Sequence, residues 1–164
     1  MSAAASETYT SVSAPIQHAA KVAFEGGPEM ELYLHRSRQV LEALANFVTE
    51  QLTDAGARVN PIRGGFYAFP NFDPIADALH ARGITTSSEL CERLLEDTGV
   101  ATLPGSAFGR PESELSLRLA FVDFDGELAL RALSEGETLD EAFLNRHCSR
   151  VMEGIRAMAQ WARG

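Results

Sequence analysis

The chain has 164 residues, a formal charge of -9 at pH 7, and 45% apolar against 23% charged side chains, the composition of an ordinary globular domain. Its 23 acidic residues against 14 basic ones weigh against nucleic acid and anionic membrane surfaces, where affinity comes from Lys and Arg on phosphate. No uncharged apolar run nears the ~18 residues of a spanning helix, the start from Met1 to Thr10 lacks the basic and apolar regions of a signal peptide, and the two cysteines, Cys91 and Cys148, imply no disulfide framework. A cytoplasmic chain with reduced thiols is the expectation. Of the basic residues 13 are Arg and one is Lys, Lys21.

Residues 1–13 are rich in Ser, Thr and Ala and read as an irregular lead-in, followed by a single domain over residues 14–164. Pro15 suits a first helical turn, where its missing N–H costs nothing. Ile16, Ala19, Ala20, Ala23 and Phe24 then form a short helical stripe that Gly26-Gly27-Pro28 ends. A long helix is predicted from Pro28 to Ala55, with Leu34, Leu41, Leu44, Val48, Leu52 and Ala55 on one face. Gly56 suits its C-terminal boundary.

Four short strands are predicted next. They are Ala57–Asn60, Phe66–Pro70, Val100–Leu103 and Ser116–Val122, the second preceded by a turn at Gly64-Gly65. Between them, Asp73-Pro74 reads as an N-cap with Pro at N1, opening a helix that Gly83 stops. Thr86 and Glu89 have capping-box spacing for a helix ending at Gly99. Residues 126–134 suggest a further short helix. Thr138 and Glu141 suggest a second capping box, opening a long terminal helix marked by Phe143, Leu144, Cys148, Val151, Met152, Ile155, Ala159 and Ala162. The expected fold is α+β: a small mixed sheet of about four short strands packed by helices, with a long N-terminal and a long C-terminal helix.

Several chemistries fall away on spacing. His18, His35, His80 and His147 do not pair with one another or with Cys at metal-ligand spacing. Only His147-Cys148 is adjacent, and helical neighbours point about 100° apart. Gly105-Ser106-Ala107-Phe108-Gly109 lacks the residue that a nucleophile elbow needs between its first Gly and the Ser. Gly64-Gly65 precedes a strand rather than a helix, so it is not a phosphate loop. Arg118 remains. It sits in an apolar strand and, by alternation, faces away from Leu117 and Leu119. Either it points to solvent, or it presents a planar two-toothed guanidinium from a rigid strand to a carboxylate.

Four runs in order carry a family likeness: Gly64-Gly65-Phe66-Tyr67-Ala68-Phe69, Leu94-Leu95-Glu96-Asp97-Thr98-Gly99-Val100-Ala101, Pro104-Gly105-Ser106-Ala107-Phe108-Gly109, and Leu117-Arg118-Leu119. Together they resemble the C-terminal, small domain of class I/II aminotransferases, the pyridoxal-phosphate enzymes of the aspartate aminotransferase fold. Ser11 to Ala20 looks like the helix that follows the family's cofactor-lysine segment. The resemblance implies that Arg118 pairs with the substrate carboxylate, that Phe66 and Tyr67 line the strand beside the substrate entrance, and that Ser106 and Phe108 belong to the loop leading into the arginine strand.

The family's chemistry also needs a cofactor lysine, an acidic partner for the pyridine nitrogen and a phosphate cup. In the family pattern these lie in a large domain preceding this stretch. Lys21 sits past the cofactor-lysine position and lacks its local context, so it reads as a solvent-facing helix residue. The resemblance therefore implies a truncated gene product, an isolated domain or one part of a split enzyme. As an isolated chain it is expected to be inactive, with no catalytic, cofactor-binding or metal-binding residues and no pyridoxal 5'-phosphate held covalently. Ile16, Phe24, Phe66 and Phe108 are expected to be exposed, favouring self-association or a large-domain companion. The alternative is a non-catalytic module that binds a small carboxylate, or a partner, without chemistry.

Overall fold

A computed structural model describes residues 12–164. Most of the lead-in therefore lies outside the described residues, and only Val12 and Ser13 of it are seen, as non-helical chain. Two compact units divide the chain, one ending at Arg36 and one spanning Ser37–Gly164.

In the first unit, helix α1 spans Ala14–Glu25 with Pro15 in its first turn, as the missing N–H predicts, and buries none of its residues. Helix α2 spans Pro28–Asp54, close to the range its periodicity predicts. Its part within the second unit buries Val40, Leu44, Ala45, Val48 and Leu52, so the stripe read from Leu44, Val48 and Leu52 faces a core.

The second unit adds the rest. Strand β1 is Tyr67–Ala68 and a 3-10 turn covers Asp73–Ile75. Helix α3 is Ala76–Ala81 and helix α4 is Ser87–Thr98. Strand β2 is Leu103–Pro104, a second 3-10 turn is Gly105–Phe108, and strand β3 is Leu117–Ala120. Helices α5 (Gly126–Ser134), α6 (Glu141–His147) and α7 (Ser149–Arg163) complete it. The capping box at α4 is present, with Thr86 accepting from the Glu89 N–H and Glu89 from the Thr86 N–H. Gly99 closes that helix in the left-handed region, at φ 75°.

The sheet differs from expectation. It has three strands rather than four, ordered β1-β3-β2, and both pairings are antiparallel rather than mixed. The expected strand at Ala57–Asn60 reduces to a single bridge between Arg58 and Asn71. Pro61, with no N–H to donate, follows at once. Asn71 bridges on to Ser116 as well, so one residue does the pairing assigned to a strand.

Three helix boundaries also shift. Asp73 does not cap an α-helix. Its carboxylate accepts from the Leu115 N–H at 2.9 Å, and the chain runs through a 3-10 turn before α3. At α6 the cap is Asp140, which accepts from the Phe143 N–H at 2.8 Å, rather than Thr138. The carboxylate two residues closer to the helix takes the position with the free amides. The expected long terminal helix is broken at Cys148, whose φ of -128° and ψ of 28° separate α6 from α7.

The core lies between the sheet and the helices of this unit. Phe72, Leu90, Leu94, Leu117, Phe121, Phe143, Met152 and Met158 are fully or almost fully buried, each contributing roughly 1.5–3 kcal/mol of hydrophobic stabilisation. Leu117 and Leu119 put one face of β3 into that core. Alternation turns Arg118 to the other face.

Candidate functional site

Arg118 is on the central strand. It sits opposite Leu103 of β2, while Tyr67 of β1 sits opposite Ala120. Tyr67 is thus the diagonal neighbour of Arg118 on the same sheet face, within reach of a long side chain. The guanidinium carbon lies 4.4 Å from the centroid of the Tyr67 ring and 4.5 Å from that of Phe108. These are cation–π distances. The rings arrive from opposite sides, one from β1 and the other from the turn that follows β2. Arg118 is half-buried, and among the described residues no carboxylate stands within 4.0 Å of it. Its in-plane N–H donors therefore remain available to a ligand.

The expectation that Arg118 faces away from Leu117 and Leu119 is met. It is not a freely solvated side chain, since two rings flank it. Phe66 stands beside Tyr67, with ring centroids 4.4 Å apart. Phe108 is met edge-on by Phe69 at 5.8 Å, a favourable aromatic arrangement. Three of the five residues singled out by the resemblance, Arg118, Tyr67 and Phe108, thus form one cluster, and Phe66 adjoins it through Tyr67.

Ser106, the fifth, plays a different structural part. Its hydroxyl accepts from the fully buried Ser87 Oγ at 3.1 Å. The hydroxyls of Ser88 and then Ser106 hold the Glu112 carboxyl below the ordinary carboxylate range. Ser88 Oγ donates to Glu112 at 2.6 Å, and the Ser87 N–H donates to the Glu112 carbonyl at 2.8 Å. This network fastens the 3-10 turn carrying Phe108 to the start of α4. Gly105 completes the fastening. Its N–H donates to the Ser116 carbonyl at 2.8 Å, and a Cβ there would overlap the Ser116 hydroxyl, so only glycine fits.

Sequence reasoning missed Ser87, Phe69 and Ser116. Ser87 offers no signal beyond its place after a helix cap. A close backbone approach that demands glycine is found at Gly105. Gly65 serves a turn, at φ 70°.

Lys21 tests whether an aldehyde cofactor could be held covalently. Its side chain is 74% exposed on α1, with Nζ 3.6 Å from Glu25. A lysine that condenses with an aldehyde needs a neutral amine, favoured by burial or a neighbouring cation. Lys21 has neither, being solvent-exposed beside the Glu25 carboxylate, so the residues present do not fit that group. Among the described residues no helix is long and apolar enough to cross a membrane, and no cluster of three His, Cys, Asp or Glu side chains is placed to hold a metal.

Comparison with known proteins bears on this geometry. The profile of the family described as "Aminotransferase class I and II" matches residues 2–132. The "Alanine aminotransferase 2-like" protein of Danio rerio is 32% identical over 112 residues, which is 64% of this chain and 20% of that protein. The "Asparagine--oxo-acid transaminase" of Streptococcus mutans is 33% identical over 114 residues, or 69% of this chain and 28% of that protein. Among solved structures, an aromatic aminotransferase from Pyrococcus horikoshii superposes with a TM-score of 0.60 at 21% identity, covering 89% of this chain and 30% of its own. An aspartate aminotransferase from Thermotoga maritima gives 0.55 at 23% identity, covering 97% and 31%. These last two share the fold. The chain spans about a fifth of the length of the alanine aminotransferases it matches.

Proposed function

This chain belongs to the class I and II aminotransferase family, and we propose that its part in amino-group transfer is to hold the carboxylate of an amino acid or 2-oxo acid on Arg118. One observation carries the reading: a half-buried guanidinium on the central strand, flanked by two aromatic rings and free of any protein carboxylate among the described residues. A planar fork meets both carboxylate oxygens at once, and burial of its faces strengthens the attraction. Phe66 and Tyr67 wall one side of this position and Phe108 the other, with Ser106 holding the Phe108 turn in place.

The family is pyridoxal-phosphate dependent. That cofactor supplies the electron sink for chemistry at the amino acid's α-carbon. The 164 residues contribute no lysine suited to it, so the chain by itself binds the carboxylate and does not turn it over. Lys21, exposed and paired with Glu25, is the observation that favours this non-catalytic behaviour. The exposed side chains of Ile16 and Phe24 on α1, and separately those of Phe66 and Phe108 by the sheet, favour association with a second copy or with a cofactor-binding companion.

Two measurements test the reading. Pyruvate titrated into the chain is expected to shift resonances around Arg118. In Arg118→Lys its affinity should drop about tenfold or more, because an ammonium cannot reproduce the two-toothed contact. Equal affinity in both proteins would remove Arg118 from the role. Borohydride reduction after adding pyridoxal 5'-phosphate should leave no stoichiometric adduct on Lys21, and mixtures of amino acid and 2-oxo acid should not be interconverted. A defined adduct with turnover would overturn the expected inactivity.

A further inference from the structure

We infer that Tyr67 and Phe108 are positioning residues that act through Arg118 rather than on the ligand: the two rings fix the plane of the guanidinium and leave only its N–H edge open to a carboxylate. The inference rests on the reading of Arg118 as a carboxylate site. A guanidinium is anisotropic. Its faces are weakly hydrated and stack on aromatic rings, while its edge carries all five donors. Ring centroids lie 4.4 and 4.5 Å from its central carbon, so rotation that would take the edge out of register must break two cation–π contacts. An arginine side chain has several soft torsions and loses much freedom on binding. Holding it beforehand lowers that cost.

The two arms are built differently, and each is fixed by something other than the arginine. Tyr67 is held by the β1–β3 pairing, through Tyr67↔Ala120 and Ala68↔Leu119. Phe108 is held by the 3-10 turn, which Gly105 ties to Ser116 and Ser106 ties to Ser87, and by Phe69 against its ring. Neither arm needs a ligand to form, so the arginine is preset in the free chain.

The test follows the Arg118 Nε–H resonance and pyruvate affinity in the full 164-residue chain. The proteins compared are wild type, Tyr67→Leu, Phe108→Leu, the ring-conserving Tyr67→Phe and Phe108→Tyr, and Arg118→Lys. Amide spectra check that each is folded. In wild type, ring currents are expected to move the Arg118 Hε upfield of the other arginines. Each leucine variant should return it toward them and weaken pyruvate binding about two- to fivefold, the scale of one cation–π contact. The ring-conserving variants should keep both the shift and the affinity, which a purely bulk-filling role would not separate from leucine. An Arg118 Hε at the ordinary position and unmoved by either leucine variant would overturn the inference. So would a shifted Hε with pyruvate affinity unchanged in both leucine variants. In that second case a loss of affinity in Arg118→Lys alone would leave the carboxylate reading standing. No pyruvate binding in wild type would overturn both readings.

Discussion

Helices α1 and α7 are two amphipathic helices with opposite fates. Over its 15 residues α7 buries Val151, Met152, Ile155, Met158, Ala159 and Ala162. Over its 12 residues α1 buries none, and Phe24 is 90% exposed. Both sequences carry apolar residues at helical spacing. What differs is burial: α7 packs on α4 and α6, and Trp161 near its end donates its indole N–H to Asp97 of α4 at 2.8 Å. Periodicity therefore announces a helix with an apolar face. It does not announce that the face is covered.

Substitutions in the two helices should separate by size. Met152→Ala removes a fully buried side chain and is expected to lower stability by about 2–5 kcal/mol, read as an earlier urea midpoint. A loss under about 1 kcal/mol would mean that the α7 interface is looser than its burial implies. At the junction before α7, burial pushes the Cys148 thiol up to about 11. The native state thus keeps its proton where the unfolded chain, near pKa ~8.5, has lost it. The unfolded state then binds fewer protons, and stability is expected to fall as pH rises from about 8.5 to about 11. The same burial predicts that iodoacetamide labels Cys148 only on unfolding, and rapid labelling of the native chain at pH 8 would contradict it. Smallest in stability is Phe24→Ser, expected within about 0.5 kcal/mol of wild type because the side chain is 90% exposed. Its effect should appear instead in light scattering, as weaker self-association and reduced binding of a hydrophobic dye. A clean wild-type monomer at high concentration would show that this face needs a different partner.

Much of the fold was legible for a physical reason that holds residue by residue. The α2 stripe, the Thr86/Glu89 box and the Gly99 stop are local: each depends on side chains within one or two turns of the backbone. The fourth strand failed because pairing is not local. Ala57–Asn60 has strand-like residues, but whether they extend into a ladder is decided by Asn71 and Pro61 and by what lies beside them. The terminal helix failed similarly. Its apolar spacing runs through Cys148 without interruption, and only the packing of α6 against α7 shows the break.

By itself the sequence determined the α+β class, most helices, the face of β3 on which Arg118 stands, and, through four ordered motifs, the aminotransferase family. Periods of 2 and 3.6 residues and short motifs are written along the chain. Only the tertiary structure decided that Arg118 lies between Tyr67 and Phe108, that Ser106 turns its hydroxyl to Ser87, and that Gly105 admits no side chain. Those contacts join residues far apart in sequence, 51 positions in the case of Tyr67 and Arg118 (118 minus 67), and their geometry exists only once the sheet has paired.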